Sequence, residues 1–168
     1  MNPGELMLGM DLSLSSPAFC VSTVKKGKIQ VFHLSHLKTN DKKGFGYRLF
    51  EIYNHVINIM EEYPVSVAVK EKGFSRHIAT TAKLRGVDGV AALAVYERLN
   101  IEEMPEIAPT TIKKIVTGDG KADKEMVFQG VQNFLYRPIE FTKTKSKYDE
   151  SDALGVCIAY ATQKRLLV

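Results

Sequence analysis

Four acidic residues stand where predicted elements of this chain begin or end. Asp11 and Glu71 each follow a short apolar run, and Asp149 and Asp152 open a long helical segment. Residues spaced three apart on a helix share a face, so the last two carboxylates can point at one spot. Each acid also has an ordinary structural explanation: a turn residue at a strand end or, for Asp149, an N-cap.

Carboxylates that converge repel one another unless cations neutralise them. Hard divalent cations with oxygen ligands do so. Two such ions about 3.5–4 Å apart stabilise both the attacking and the leaving oxygen of a phosphoryl displacement. If the fold brings the four acids together, they predict metal-dependent cleavage of phosphodiesters.

The elements that must position these acids follow from hydrophobic periodicity. Strands are predicted over residues 6–10, 18–24, 29–37, 65–69 and 106–108. Helices are predicted over residues 44–63, 79–99, 110–116, 123–135 and 149–166. A polar, basic loop is predicted over residues 138–148.

The order of these elements defines the expected fold class. The Lys-Lys-Gly-Lys turn at residues 25–28 predicts a hairpin, so the first three strands form an antiparallel meander. The later strands alternate with helices, which predicts parallel pairing. The sequence therefore predicts an α/β protein with a mixed five-stranded sheet, the meander plus two parallel strands, flanked by helices.

Length and composition narrow the class of protein. With 168 residues, 45% of them hydrophobic and 25% charged, we expect a single domain over residues 1–168. No apolar run reaches the roughly 20 residues of a membrane span, and the N-terminal segment lacks the features of a signal peptide. We expect a cytoplasmic protein without a membrane partner. Cys20 and Cys157 are expected to be buried and reduced, and none of the histidines combines with a cysteine at zinc spacing.

The charge of the chain permits nucleic-acid binding without establishing it. The formal net charge is +4 and the isoelectric point is near 9.0. Many of the basic residues fall in the last third of the chain: Lys113, Lys114, Lys121, Lys124, Arg137, Lys143, Lys145 and Lys147. The alternative for each lysine is an ordinary solvent-exposed charge.

Four segments together resemble the RuvC family of Holliday-junction resolvases, and more closely its phage-type members. Gly-Met-Asp-Leu-Ser at 9–13 and Glu-Lys-Gly-Phe at 71–74 resemble the family's first two motifs. Residues 108–124 resemble its lysine-containing helix and Gly-x-Gly turn, and Asp-Glu-Ser-Asp-Ala-Leu at 149–154 resembles its last motif. The likeness extends from residue 7 to about residue 162.

The resemblance implies a ribonuclease H-like fold, a homodimer, and Mg²⁺- or Mn²⁺-dependent nicking of branched DNA with two ions in each site. It implies that Asp11, Glu71, Asp149 and Asp152 bind the metal and that Lys113 and Lys124 take part in catalysis. Phe74 matches an aromatic residue that stacks on a base; the alternative is a core residue. We expect DNA contacts from Phe74, Arg76, Lys113, Lys121, Lys124, Lys143, Lys145 and Lys147.

The predicted helix over residues 79–99 carries small residues that favour close approach of another element: Ala82, Gly86, Gly89, Ala91 and Ala92. One hypothesis is that this helix forms the homodimer interface, which would let two strands be cut symmetrically. The alternative is that these residues pack against the protein's own sheet.

The sequence departs from the family's motifs at two places, and two alternative functions are considered. Leu12-Ser13 replaces the family's usual Pro-Gly, and Arg76-His77 stands near a position where cellular members often have Asn; both favour relaxed junction or sequence preference. An ATPase of the actin-like or sugar-kinase type needs two such domains and glycine-rich loops, so we expect no nucleotide cofactor. A non-catalytic branched-DNA-binding or regulatory protein is the second alternative, and the presence of all four acids argues against it.

Overall fold

Five strands form one mixed sheet in the order β3-β2-β1-β4-β5 in the computed structural model, which describes residues 4–73 and 78–167. The strands are β1 (Leu6–Asp11), β2 (Ala18–Lys25), β3 (Lys28–His36), β4 (Val65–Glu71) and β5 (Glu106–Ile107). The helices are α1 (Phe45–Glu62), α2 (Ile78–Leu99), α3 (Pro109–Thr117), α4 (Lys124–Gln132) and α5 (Ser146–Gln163). The predicted order of elements is therefore confirmed.

The pairing of the strands is that of a meander followed by parallel strands. β1 pairs with β2 and β2 with β3 in antiparallel fashion, whereas β1 pairs with β4 and β4 with β5 in parallel. The β2–β3 hairpin turns through Lys26 and Gly27, both of which have a positive φ. The mixed sheet predicted from the sequence is confirmed.

Helices cover both faces of this sheet because its strands alternate side chains between two cores. Met7 faces the core formed with α3, α4 and α5, and its neighbour Leu8 faces the core formed with α1 and α2. α5 contacts all five strands as well as α3 and α4. Every residue of α5 from Ala153 to Ala161 is buried, so this helix is held from all sides.

A glycine in β1 admits α5 to the centre of the sheet. A Cβ atom on Gly9 would lie 2.4 Å from Cys157 Sγ and 2.8 Å from the Ala153 carbonyl oxygen. Only a residue without a side chain leaves room for the helix at this point. Cys157 and Cys20 are both buried and free, as the sequence predicted.

Several predicted boundaries need correction. α5 begins at Ser146, three residues before the predicted start, so Lys147 is a helical residue rather than a loop residue. Lys145 occupies the N-cap position, and the N-cap explanation for Asp149 is therefore wrong. α4 begins after Asp123, whose Oδ1 accepts a hydrogen bond from the Met126 amide at 2.9 Å and caps the helix. α4 and α5 also end earlier than predicted, at residues 132 and 163.

None of the helices within residues 4–73 and 78–167 is long and apolar enough to cross a membrane.

Candidate active site

The sheet brings two of the four acids side by side. Asp11 is the last residue of β1 and Glu71 is the last residue of β4. The two strands are parallel, and Met10 pairs with Lys70 directly before them. Both carboxylates therefore stand at the carboxyl ends of neighbouring parallel strands, where α/β proteins commonly place their ligands.

Three of the acids line one cavity, here called the carboxylate cavity. Its volume is about 300 Å³, and Asp11, Glu71 and Asp152 line it together with Lys113 and Lys124. Asp152 reaches the cavity from the second turn of α5. The convergence that the sequence predicted therefore occurs for these three carboxylates.

Asp149 lies next to this group and lines an adjoining cavity, here called the serine–lysine cavity. Lys124 lines both cavities. Its Nζ is 3.6 Å from Asp149 Oδ1 and 3.9 Å from Asp152 Oδ2. One ammonium group thus links the two acids that α5 supplies.

Burial and mutual repulsion raise the pKa values of the three carboxyl groups in the carboxylate cavity. Burial, then Asp149, raises the pKa of Asp11 to about 6, although Lys124 opposes the shift. Burial, then Asp11, raises the pKa of Asp152 to about 7. Glu71 is affected most: burial, then Asp11 and Asp152, raises its pKa to about 8. Glu71 and Asp152 therefore remain partly protonated near neutral pH, because the cavity does not stabilise the negative charge of three ionised carboxylates.

A hard divalent cation fits this donor set because it would neutralise crowded carboxylate oxygens. Within the described part of the chain, no group of three His, Cys, Asp or Glu side chains is arranged as a ready-made metal cage. The two lysines supply part of the missing positive charge, since both lower the pKa values of Glu71 and Asp152.

Two neighbouring helices carry the two lysines. Lys113 lies on α3, which ends at Gly118 with φ at 84°, a left-handed conformation that suits glycine. Lys124 is the first residue of α4, directly after the Asp123 cap. α3 and the first residue of α4, on either side of the Gly-Asp-Gly turn, therefore place both lysines in the wall of the carboxylate cavity.

The other predicted DNA-binding residues have different surroundings. Lys121, Lys143 and Lys145 are exposed. Lys147 is instead engaged within the protein: its Nζ lies 3.7 Å from Glu125 Oε2 and 4.4 Å from the centre of the Phe128 ring. Its placement with the loop lysines was wrong, because these contacts attach it to α4.

Phe74 and Arg76 lie outside the described residues.

Three hydrogen bonds at Asp149 and its neighbour Glu150 were not predicted from the sequence. Ser16, in the β1–β2 loop, donates a hydrogen bond from Oγ to Asp149 Oδ2 at 2.8 Å. The buried Glu150 is held by His36 Nδ1 at 3.0 Å and by the Thr142 amide at 2.9 Å. The Ser16–Asp149 and His36–Glu150 bonds join residues 133 and 114 positions apart. Thr142 and Glu150 are 8 positions apart, and the acidic Glu150 beside Asp149 was the local signal in the sequence.

The mixed sheet, with acids at the ends of its central strands and on the helix that crosses it, is that of a ribonuclease H-like protein. Residues 7–160 match the family described as crossover junction endodeoxyribonuclease RuvC. The chain belongs to the RuvC family.

Similar proteins include two bacterial crossover junction endodeoxyribonucleases. The RuvC of Ehrlichia canis is 31% identical over 159 residues, which cover 94% of this chain and 97% of that protein. The RuvC of Alkaliphilus metalliredigens is 28% identical over 157 residues, covering 93% and 92%. A closer likeness to phage-type members stays a prediction.

Two solved structures share the fold. Thermus thermophilus RuvC in complex with a Holliday junction substrate superposes with a TM-score of 0.83 at 21% identity, covering 96% of each chain. The yeast mitochondrial Holliday junction resolvase Ydc2 superposes with a TM-score of 0.70 at 15% identity, covering 99% of this chain and 81% of that one. These similarities confirm the predicted fold class.

Proposed function

We propose that this chain is an endonuclease that cuts branched DNA, Holliday junctions among its substrates, by metal-dependent hydrolysis of phosphodiesters. The observation that supports the proposal most strongly is the carboxylate cavity itself. It gathers three carboxyl groups with raised pKa values and two lysines at the edge of a RuvC-family sheet. Such a group of acids is costly unless it binds cations, and nucleases use that combination.

Asp11, Glu71, Asp149 and Asp152 would hold Mg²⁺ or Mn²⁺, with two ions in each site. When bound, the ions supply positive charge for the scissile phosphate and an activated water. Lys113 and Lys124 orient that phosphate and stabilise the negative charge that develops on it. Because both lysines already face the acids, they can do this without a rearrangement of α3 or α4.

DNA binding outside the carboxylate cavity rests on exposed cations. We assign Lys121, Lys143 and Lys145 to the DNA backbone, where each neutralised phosphate releases condensed counterions. Replacing the three with neutral residues should flatten the plot of log affinity against log salt by about 0.9 for each duplex phosphate that is no longer neutralised. Lys113→Met should instead slow single-turnover cleavage and change that slope by at most about 0.9, the value for a single phosphate.

We also propose that two copies of the chain associate through α2. The small residues of this helix divide between two environments. Ala91 is buried in the protein's own core and Gly86 faces Phe45 of α1, so part of the small-residue pattern serves intramolecular packing. Ala82, Gly89 and Ala92 are exposed, next to Leu93 at 57% exposure and Tyr96 at 49%. An exposed surface of this kind suits a symmetric interface.

Cleavage of defined substrates tests the activity. The wild-type chain is incubated with a labelled four-way junction, a fork and a linear duplex of the same sequence, with Mg²⁺, with Mn²⁺ or with a chelator. We expect cleavage of the branched substrates with either metal and none with the chelator. Tight junction binding without cleavage in any metal would instead support the non-catalytic alternative.

A further inference from the structure

The serine–lysine cavity is a second polar site that adjoins the carboxylate cavity. Its volume is about 540 Å³, and its walls include Ser15, Ser16, Lys38, Lys124, Lys145, Ser146, Tyr148 and Asp149. The β1–β2 loop, the segment after β3 and the start of α5 supply most of these residues. The cavity is therefore built from separate parts of the chain.

The wall between the two cavities consists of polar groups that are already paired. Asp149 receives a hydrogen bond from Ser16 at Oδ2, and Lys124 lies 3.6 Å from its Oδ1. These interactions hold the Asp149 carboxylate between the two cavities. Of the remaining lining groups, Tyr148 donates its hydroxyl to Glu125 Oε2 at 2.8 Å and Ser15 Oγ accepts from Arg48 Nη2 at 3.2 Å. Lys38, Lys145 and Ser146 are left to meet a ligand.

Two of those groups are lysines with unbalanced charge. Neither Lys38 nor Lys145 has an ion-pair partner among the residues that the structure describes, in contrast to Lys147, which has Glu125. Both are exposed. Ser15 and Ser146 line the same cavity. Lysine ammonium and serine hydroxyl groups are among the side-chain donors that proteins present to DNA phosphates.

We propose that the serine–lysine cavity binds the backbone phosphate next to the scissile one on the cut strand, with Lys38 and Lys145 as its cationic ligands. The inference rests on the proposed nuclease function. Consecutive phosphates of one strand are spaced about 3.4 Å apart along the axis of the duplex. A strand with one phosphate in the carboxylate cavity therefore brings a neighbour across the shared wall. The subsite fixes the direction in which the strand crosses Asp149.

Neutral phosphate substitution tests this assignment. Four junctions are made, each with a single uncharged methylphosphonate. The methylphosphonate replaces one of the four linkages nearest the scissile phosphate, two on either side of it. Binding is measured for four proteins in an Asp11→Asn background without metal: no further change, Lys38→Gln, Lys145→Gln, and Lys26→Gln. Lys26 is the matched control because it is exposed and lies in the β2–β3 turn, at the other end of β2 from Ala18, which pairs with Asp11.

At one adjoining linkage, the methylphosphonate should weaken binding by the Asp11→Asn protein about three- to tenfold. The methylphosphonate at that linkage should weaken binding by the Lys38→Gln and Lys145→Gln proteins less than it weakens binding by the parent, because each variant has already lost one of the two lysine–phosphate pairs there. The Lys26→Gln protein should behave like its parent. Additive losses at all four linkages, or the same non-additivity for Lys26→Gln, would overturn the subsite. A wild-type chain that cuts no unmodified junction would instead overturn the proposed function, so the two failures are distinguishable.

Discussion

The helices on the two faces of the sheet differ in how they are packed. α5, which carries Asp149 and Asp152, is surrounded by the sheet, α3 and α4, and its residues 153–161 are all buried. On the opposite face, α2 buries one stripe and leaves Leu93 and Tyr96 exposed. An enclosed helix holds its side chains in fixed positions. The chain thus places Asp149 and Asp152 on the enclosed helix and leaves an apolar surface on the open one.

The largest expected effect separates an acid of the site from an acid of the open face. Asp11→Asn removes one carboxylate from the cavity. It should slow cleavage by about 10³-fold or more, because the site loses a ligand of the divalent cations that the proposed reaction requires. Asp88→Asn is the control, since Asp88 lies on α2 and pairs with Lys70 at 3.2 Å. Single-turnover rates on a four-way junction measure both. Full activity of Asp11→Asn would show that the Asp11 carboxylate is not required for cleavage.

The next comparison puts the same added methyl group into each face. Gly9→Ala would place its Cβ 2.4 Å from Cys157 Sγ, so α5 must shift. We expect a loss of about 1–3 kcal/mol, or roughly 2–4 °C in melting temperature for each kcal/mol, and slower cleavage. Gly46→Ala in α1 meets nothing within 4 Å and should stabilise the protein by about 0.5 kcal/mol. Equal melting temperatures for the two variants would show that α5 is not tightly enclosed.

The open face should respond in association rather than in folding. Leu93→Lys places a charge on the exposed surface of α2 and should convert dimers to monomers at micromolar concentration with little change in melting temperature. Phe32→Lys is the control because Phe32, at 47% exposure, lies on the edge strand β3. Sedimentation velocity distinguishes them. A wild-type chain that stays monomeric with and without DNA would contradict the α2 interface.

The smallest effect concerns the position of Asp149 within the enclosed face. Ser16→Ala removes the hydroxyl that donates to Asp149 Oδ2, and we expect about a threefold slower cleavage with unchanged junction affinity. Ser16→Thr keeps the hydroxyl and should restore most of the rate. If the threonine variant is as slow as the alanine variant, the hydrogen bond does not position Asp149.

The sequence predicted the acids at strand ends because those positions are encoded locally, by an apolar run that stops at a polar residue. The start of α5 was misplaced because residues 146–148 show no apolar periodicity, and the Lys147 contacts that hold this turn come from α4. The Ser16–Asp149 hydrogen bond joins residues 133 positions apart. Such a bond follows from the completed fold, so spacing along the chain carries no sign of it.

The central claim is that the acids of the carboxylate cavity bind a divalent cation. The melting temperature of Glu71→Gln at pH 8.5 tests this claim most directly. The pKa of Glu71 is raised from 4.5 to about 8 in the folded protein. The contribution of this group to the free energy of unfolding is therefore complete below about pH 4.5 and is lost as the pH rises through 8. Without metal, we expect Glu71→Gln to melt about 3–5 °C above wild type at pH 8.5 and near it at pH 5. Added Mg²⁺ should raise the wild-type melting temperature and leave the variant nearly unchanged. The account would be contradicted by a wild-type protein whose melting temperature does not change with Mg²⁺ and lies above that of the variant at pH 8.5.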